Sequence, residues 1–186
     1  MIRARRPSPK RPRTARLSPE LRAYLRKLER LRAGRDPIAL LKTGLARFAH
    51  AVRDLTRRQM LRRPARGKWS ILEILGHLHD TEVVYGWRWR LTLAQPGLPL
   101  QDYDQDAWTA QLRHRQADPK KFLAQIAVMR RGSLDLILRV PRKQWKRAGI
   151  HTARGRESLE RSLRQIAGHD INHTYQIRAI REKYGW

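Results

Sequence analysis

The chain has 186 residues, 40% of them apolar, which suits a single domain with a buried core. It has no cysteine, which excludes a disulfide framework, a cysteine-ligated zinc or iron–sulfur site and a thiol nucleophile of its own, so any thiol chemistry must use an external thiol. A formal charge of +26 would attract nucleic acid, anionic membrane or acidic small molecules, but the excess is spread along the whole chain.

Residues 1–16 read as a disordered basic tail. Arg3, Arg5, Arg6, Lys10, Arg11, Arg13 and Arg16 face no acid there, and Pro7, Pro9 and Pro12 oppose the amphipathic helix that a mitochondrial presequence needs. No apolar run approaches the roughly 18 residues of a membrane span, and the N-terminus lacks the apolar segment of a secretory signal. The expected location is cytoplasmic.

Ser18, Pro19 and Glu20 then give an N-cap, a first helical position and an acidic first turn, opening a short helix to about Leu31 with Leu21, Tyr24, Leu25 and Leu28 on one face. Residues 17–35 are thus an extra N-terminal helix ahead of the main domain, residues 36–186. Asp36 and Pro37 open a longer helix in which Ile38, Leu41, Leu45, Phe48, Val52 and Leu55 repeat at three and four residues.

Arg63 to Gly67 breaks the chain. Ser70 and Glu73 then form a capping box for a helix to about Ala94, which Gln95-Pro96-Gly97 ends. A short helical piece covers Gln105 to Arg113. Asp118-Pro119 starts a third long helix through Phe122, Ile126, Met129, Leu136 and Val140, stopped by Pro141. After a turn-like stretch from Arg147 to Arg156, a last helix runs from about Glu157 to Lys183, with Gly185 as its stop. No segment shows strand alternation and no internal repeat appears. The expectation is an all-α four-helix bundle.

Two of the apolar stripes are interrupted by chemistry. On the last helix Leu159, Leu163, Ile166, Ile177, Ile180 and Tyr184 share a stripe with Asp170 and His173, and His169 flanks it one turn before His173. On the second long helix Ile71, Leu75, Leu78, Tyr85 and Trp89 share one with Glu82. Burying ionisable groups without partners costs several kcal/mol, so facing interruptions would build one polar pocket. His169 and His173 diverge by only roughly 40° on a helix, so both imidazoles can reach one ion. A third ligand is either His77 or His79, which lie on opposite sides of their helix, and periodicity does not decide between them. Glu82, Asp170 and Asp80 are candidate catalytic or ligand-supporting carboxylates; Glu82 and Asp170 are equally readable as partners of buried arginines. Trp69, Trp87, Trp89 and Trp108 read as core and bundle-end packing, and Arg88 and Arg90 as a solvated face.

The stretch RRPARGKWSILEILGHLHDTE, residues 62–82, closely resembles the signature of the DinB-like superfamily, which includes the YfiT-type bacillithiol transferases. AGIHTARGRESLERSLRQIAGHDINHTYQIRAI, residues 148–180, is similar to that family's C-terminal segment, and DYDQDAW, residues 102–108, to its central linker. The resemblance places the metal ligands on His77, His169 and His173, so it selects His77 over His79. It also implies a bundle with a long crossover connection, and it allows for a homodimer.

Three neutral imidazoles suit zinc or nickel, or iron, and leave a position open for a thiol or water. The expected activity is therefore that of a metal-dependent thiol transferase, carrying a low-molecular-weight thiol co-substrate to a small electrophilic substrate, or that of a hydrolase. The alternatives are a basic bundle that binds nucleic acid, through Arg3, Arg5, Arg6, Arg11 and Arg13 among others, and a metal-binding scaffold without turnover.

Overall fold

The computed structural model describes residues 17–186, and the tail expected over residues 1–16 lies outside them. Four long helices carry the domain: α2 (Pro37–Val52), α4 (Ile71–Ala94), α6 (Pro119–Arg139) and α7 (Leu159–Tyr184). Three shorter ones, α1 (Pro19–Arg32), α3 (Arg57–Leu61) and α5 (Gln105–Gln111), accompany them. Each begins where a side-chain oxygen can accept from the free N–H groups of its first turn. Ser18, Asp36, Ser70, Asp104, Asp118 and Ser158 do this for α1, α2, α4, α5, α6 and α7. None of the described helices is long and apolar enough to cross a membrane.

The bundle helices do not pack in chain order. α7 packs against α2 and α4, and α6 packs against the same two, so α2 and α4 face each other diagonally, as do α6 and α7. The segments joining α2 to α4 and α6 to α7 therefore each cross one end of the bundle. This arrangement sets α4 beside α7, the two helices whose stripes are interrupted by polar residues.

Several local features differ from the sequence expectations. α3 was not expected; Thr56 and Gln59 form its capping box, and five residues show too little periodicity to announce it. The stretch expected as turns contains β2 (Ala148–His151) and β3 (Gly155–Ser158), paired antiparallel, with β1 (Pro99–Leu100) parallel to β2 at its other edge. Strands of two and four residues are likewise too short for alternation to register. The last helix starts at Leu159 rather than about Glu157, because the preceding residues are held in this hairpin. On α6 the buried stripe is Phe122, Ile126, Arg130, Ser133, Leu134 and Ile137; Met129, Leu136 and Val140 are only half-buried.

The core has two apolar halves. Leu41, Trp89, Leu134, Ile137, Leu159 and Leu163 belong to one. Phe48, Ile71, Leu75, Leu78, Ile126 and Ile177 belong to the other. On α2, α4 and α6 the step from one half to the other passes a non-apolar residue, Gly44, Glu82 and Arg130; on α7 it passes His173 and Thr174, with Asp170 just before Ile171, the last apolar residue of the first half.

Helix α1 packs along the outside of α7, with Leu28 buried. The two backbones approach so closely that a Cβ added at Gly168 would stand 2.3 Å from the Leu28 carbonyl oxygen. That oxygen is backbone and has no rotamer with which to yield. We expect Gly168→Ala to lower stability by about 1–3 kcal/mol and to make α1 a site of rapid proteolysis. An unchanged Tm with α1 still protected would show that the contact does not hold the helix.

Candidate metal centre

His77 projects from α4, and His169 and His173 from successive turns of α7. The Nε2 of His169 lies 3.0 Å from that of His77 and 3.1 Å from that of His173. An imidazole nitrogen offers one proton or one in-plane lone pair, so His169 Nε2 has a single hydrogen bond to make and two neighbours to satisfy. A cation among the three nitrogens resolves that conflict. Ligand nitrogens about 2.0–2.1 Å from a tetrahedral zinc stand roughly 3.3 Å apart, close to the separations seen here.

The surroundings keep all three rings neutral, as metal ligands must be. Their exposures are 3% for His77, 8% for His169 and 6% for His173. Burial, together with the neighbouring His173, pushes His77 down to about 3, and burial pushes His173 down to about 4. His169 is held well below the usual histidine range, again chiefly by burial. His173 Nδ1 is 2.9 Å from Gln176 Oε1, and since that oxygen only accepts, Nδ1 carries the proton and Nε2 presents its lone pair to the other rings. Among the described residues, the Nδ1 atoms of His77 and His169 are buried without a hydrogen-bond partner.

Trp69 closes one side, its ring centroid 4.8 Å from that of His77 and 6.4 Å from that of His173. The same tryptophan lines a cleft of about 300 Å³ that reaches His173, together with Tyr24, Gln105, Asp106, Asn172 and Gln176. His79 is not part of the cluster. It lies 3.3 Å from the Asp80 carboxylate, with its ring against Phe122. Asp80 also meets His114 Nε2 at 3.1 Å; burial would raise its pKa, but these two histidines outweigh that and hold it below the usual range.

Glu82 and Asp170 both face Arg130. Its Nε lies 2.9 and 3.0 Å from the two Glu82 oxygens, and one terminal nitrogen lies 2.8 Å from Asp170 Oδ2 and 3.2 Å from the Leu41 carbonyl. All three side chains are buried. Of the two roles open to these carboxylates in the sequence, the geometry shows the ion pair, and oxygens so engaged are poorly placed to accept a proton from a reacting group. Gly44 makes room for the network: a Cβ there would be 2.8 Å from Asp170 Oδ2.

Three other expectations need correction. Arg88 is not on a solvated face but 3% exposed, donating to the Gln101 carbonyl beneath the linker and lying against the Tyr85 ring. Trp87 is 64% exposed and packs no core, because it points away from the stripe that carries Trp89. Trp69 lies beside the histidines rather than serving only as end packing. Sequence reasoning missed Arg130 and Gln176. Arg130 is four residues beyond Ile126 and four before Leu134, the same kind of interruption that exposed Glu82, while Gln176 is one turn beyond His173 and resembles any polar surface residue.

Replacing Arg130 by Leu leaves two carboxylates buried together without a counter-charge. We expect it to cost about 3–5 kcal/mol in urea unfolding, and a loss under 1 kcal/mol would mean that the network is solvated. The histidines give a second expectation. Their folded pKa values lie below the unfolded value near 6.5, so the unfolded chain binds more protons, and their contribution to stability is complete above about 6.5 and lost as pH falls toward 3–4. Chelator-treated protein should therefore unfold at lower urea at pH 5 than at pH 7.5, by about 2 kcal/mol for each ring so affected. Equal midpoints would show that the rings are not held neutral.

Residues 40–177 match the family model described as the DinB superfamily. YfiT of Bacillus subtilis (strain 168), provisionally named a metal-dependent hydrolase, is 25% identical over 150 residues, spanning 80% of this chain and 84% of that protein. A Bacillus mycoides (strain KBAB4) protein with the same provisional name is 20% identical over 139 residues, 75% of this chain and 80% of its own. Among solved structures, YfiT from Bacillus subtilis, described as having an unusual four-helix bundle topology, superposes with a TM-score of 0.74 at 23% identity over 95% of this chain and 94% of its own. The mycothiol-dependent maleylpyruvate isomerase superposes with a TM-score of 0.60 at 9% identity, over 76% of this chain and 59% of its own. With its matched segment running from α2 to the far side of the histidine pair, and a bundle of YfiT topology beneath it, the chain belongs to the DinB superfamily.

Proposed function

We propose that His77, His169 and His173 hold a divalent metal ion, zinc or nickel in the first place and iron as a further fit, and that the protein is a metal-dependent enzyme of the thiol-transferase type. The observation that carries this reading is the convergence of three neutral imidazole nitrogens beside an open cleft. A divalent ion in this donor set lowers the pKa of a thiol or of water and so supplies a nucleophile at neutral pH. The chain contributes the rest: Gln176 fixes the orientation of His173, Trp69 shields the rings, and the cleft admits a small molecule.

A low-molecular-weight thiol is favoured as nucleophile because it needs no protein base once its proton is lost, and two of the nominated carboxylates, Glu82 and Asp170, are held by Arg130. The mycothiol-dependent neighbour agrees with that preference. Hydrolysis is the second reading, favoured by Asp106 in the cleft wall and by the provisional names of the relatives. Binding of nucleic acid through Arg3, Arg5, Arg6, Arg11 and Arg13 falls outside the described residues and rests on charge alone.

Metal analysis of untagged protein tests the reading. We expect about one ion per chain, lost in His77→Ala and His173→Ala and kept in His79→Ala. Loaded protein incubated with a panel of electrophiles should consume thiol in step with metal content. Ester or amide cleavage without thiol would move the assignment to hydrolysis, and full occupancy with neither activity would leave a scaffold. Retention of metal by both alanine variants would overturn the site.

A further inference from the structure

Helices α2 and α7 pack together, and along their outer seam lie two pockets, of about 200 and 120 Å³, that share no residue with the cleft beside the histidines. Arg35, Arg47, Tyr175 and Arg178 are in the wall of the first, and Arg53, Asp54, Arg178 and Arg181 in that of the second. Arg178 therefore joins the two. On α7 the seam runs from Ile171 to Arg181, about 15 Å at the helical rise.

Three of these guanidinium groups are anchored on backbone carbonyls. Arg35 donates to the Arg32 and Leu31 carbonyls at the end of α1, at 3.0 and 2.9 Å, and Arg47 to the Leu40 carbonyl at 2.7 Å. Arg181 reaches across from α7 to the Ala51 and Arg53 carbonyls at the end of α2, at 3.0 and 2.9 Å. Asp54 is the one acid in either wall among the described residues, and Arg53 Nε already lies 3.1 Å from it. Arg47 Nε is buried with no hydrogen-bond partner among the described residues. Five arginines gathered in this way repel one another, and an anion in the groove relieves that repulsion and supplies acceptors. Tyr175, 52% exposed, puts an aromatic ring in the same wall.

We propose that this groove binds the phosphate backbone of a single-stranded nucleic acid, with successive phosphates in the two pockets and a base stacked on Tyr175. Two pockets joined through one arginine suit anionic groups repeated at short spacing along a chain. An aromatic ring among guanidinium groups gives a base a face to stack on, which a lipid headgroup does not use. The surface is built from placed residues of α2 and α7, and it is independent of the metal reading.

The test uses full-length protein and a fluorescein-labelled oligothymidylate, with binding followed by fluorescence anisotropy across a salt series. Arg47→Gln with Arg178→Gln removes two groove charges, and Arg131→Gln with Arg139→Gln removes two from exposed positions on α6 as a control for bulk charge. We expect the groove pair to weaken binding about tenfold at physiological salt and to flatten the logarithmic salt dependence by about 1.4. The control pair should change affinity less than about twofold. Tyr175→Leu should weaken binding about fivefold or more while leaving the salt dependence as it is. Metal content should be unchanged throughout. If Arg47→Gln lowers the Tm, Arg178→Gln and Tyr175→Leu, both at exposed positions, carry the comparison alone. Equal losses in the groove and control variants would reduce the interaction to bulk charge and overturn the groove, as would no binding by the wild type at physiological salt. Binding of phosphatidylserine vesicles that fails in the groove variants, with oligonucleotide binding unaffected, would overturn it in favour of a membrane surface.

Discussion

A guanidinium taken out of water must be met by charge and by acceptors on every side it presents, and Arg130 meets that condition only when three neighbouring helices arrive together. Glu82 comes from α4, Asp170 from α7 and the Leu41 carbonyl from α2, with Gly44 leaving the space that a side chain would occupy. Sliding or rotating any of the four helices strands a buried charge, which costs more than most apolar mismatches. The network thereby fixes the bundle's register, and the apolar halves of the core pack around it.

Register matters because the histidines have no scaffold of their own. His77 reaches His169 and His173 only if α4 and α7 are correctly phased, and the ion pair that phases them uses Glu82 five residues from His77 and Asp170 beside His169. The carboxylates that resemble catalytic groups in the sequence thus serve the site through position. Rings held neutral by burial, one of them oriented by Gln176, make up the donor set of the proposed metal site.

Much of this was legible in the sequence because helices announce themselves twice, by caps and by periodicity. Ser18, Asp36, Ser70 and Asp118 cap the helices they were expected to cap, and the interruptions at Glu82, Asp170 and His173 mark real departures from an apolar core. The resemblance, and not periodicity, separated His77 from His79; the structure shows why wheel angle failed, since neither ring is left in solvent, His77 being buried against Trp69 and His79 half-buried against Phe122. Arg130 escaped notice because neighbouring Met129 offered a plausible apolar position, and an arginine in so basic a chain reads as surface. The hairpin after α6 and the inward role of Arg88 depend on which segments the crossovers bring together, and no local pattern encodes that.

The diagonal arrangement of the bundle has a consequence for synthesis. His77 and His169 are 92 residues apart, and α7 follows every other bundle helix in the chain. While the ribosome is still making α6, the emerging polypeptide displays His77 on α4 without the two histidines of α7, and Arg130, once made, has Glu82 but not yet Asp170. If the three histidines take an ion as proposed, loading is coupled to the last folding step, and a truncated or stalled product lacks two of the three ligands.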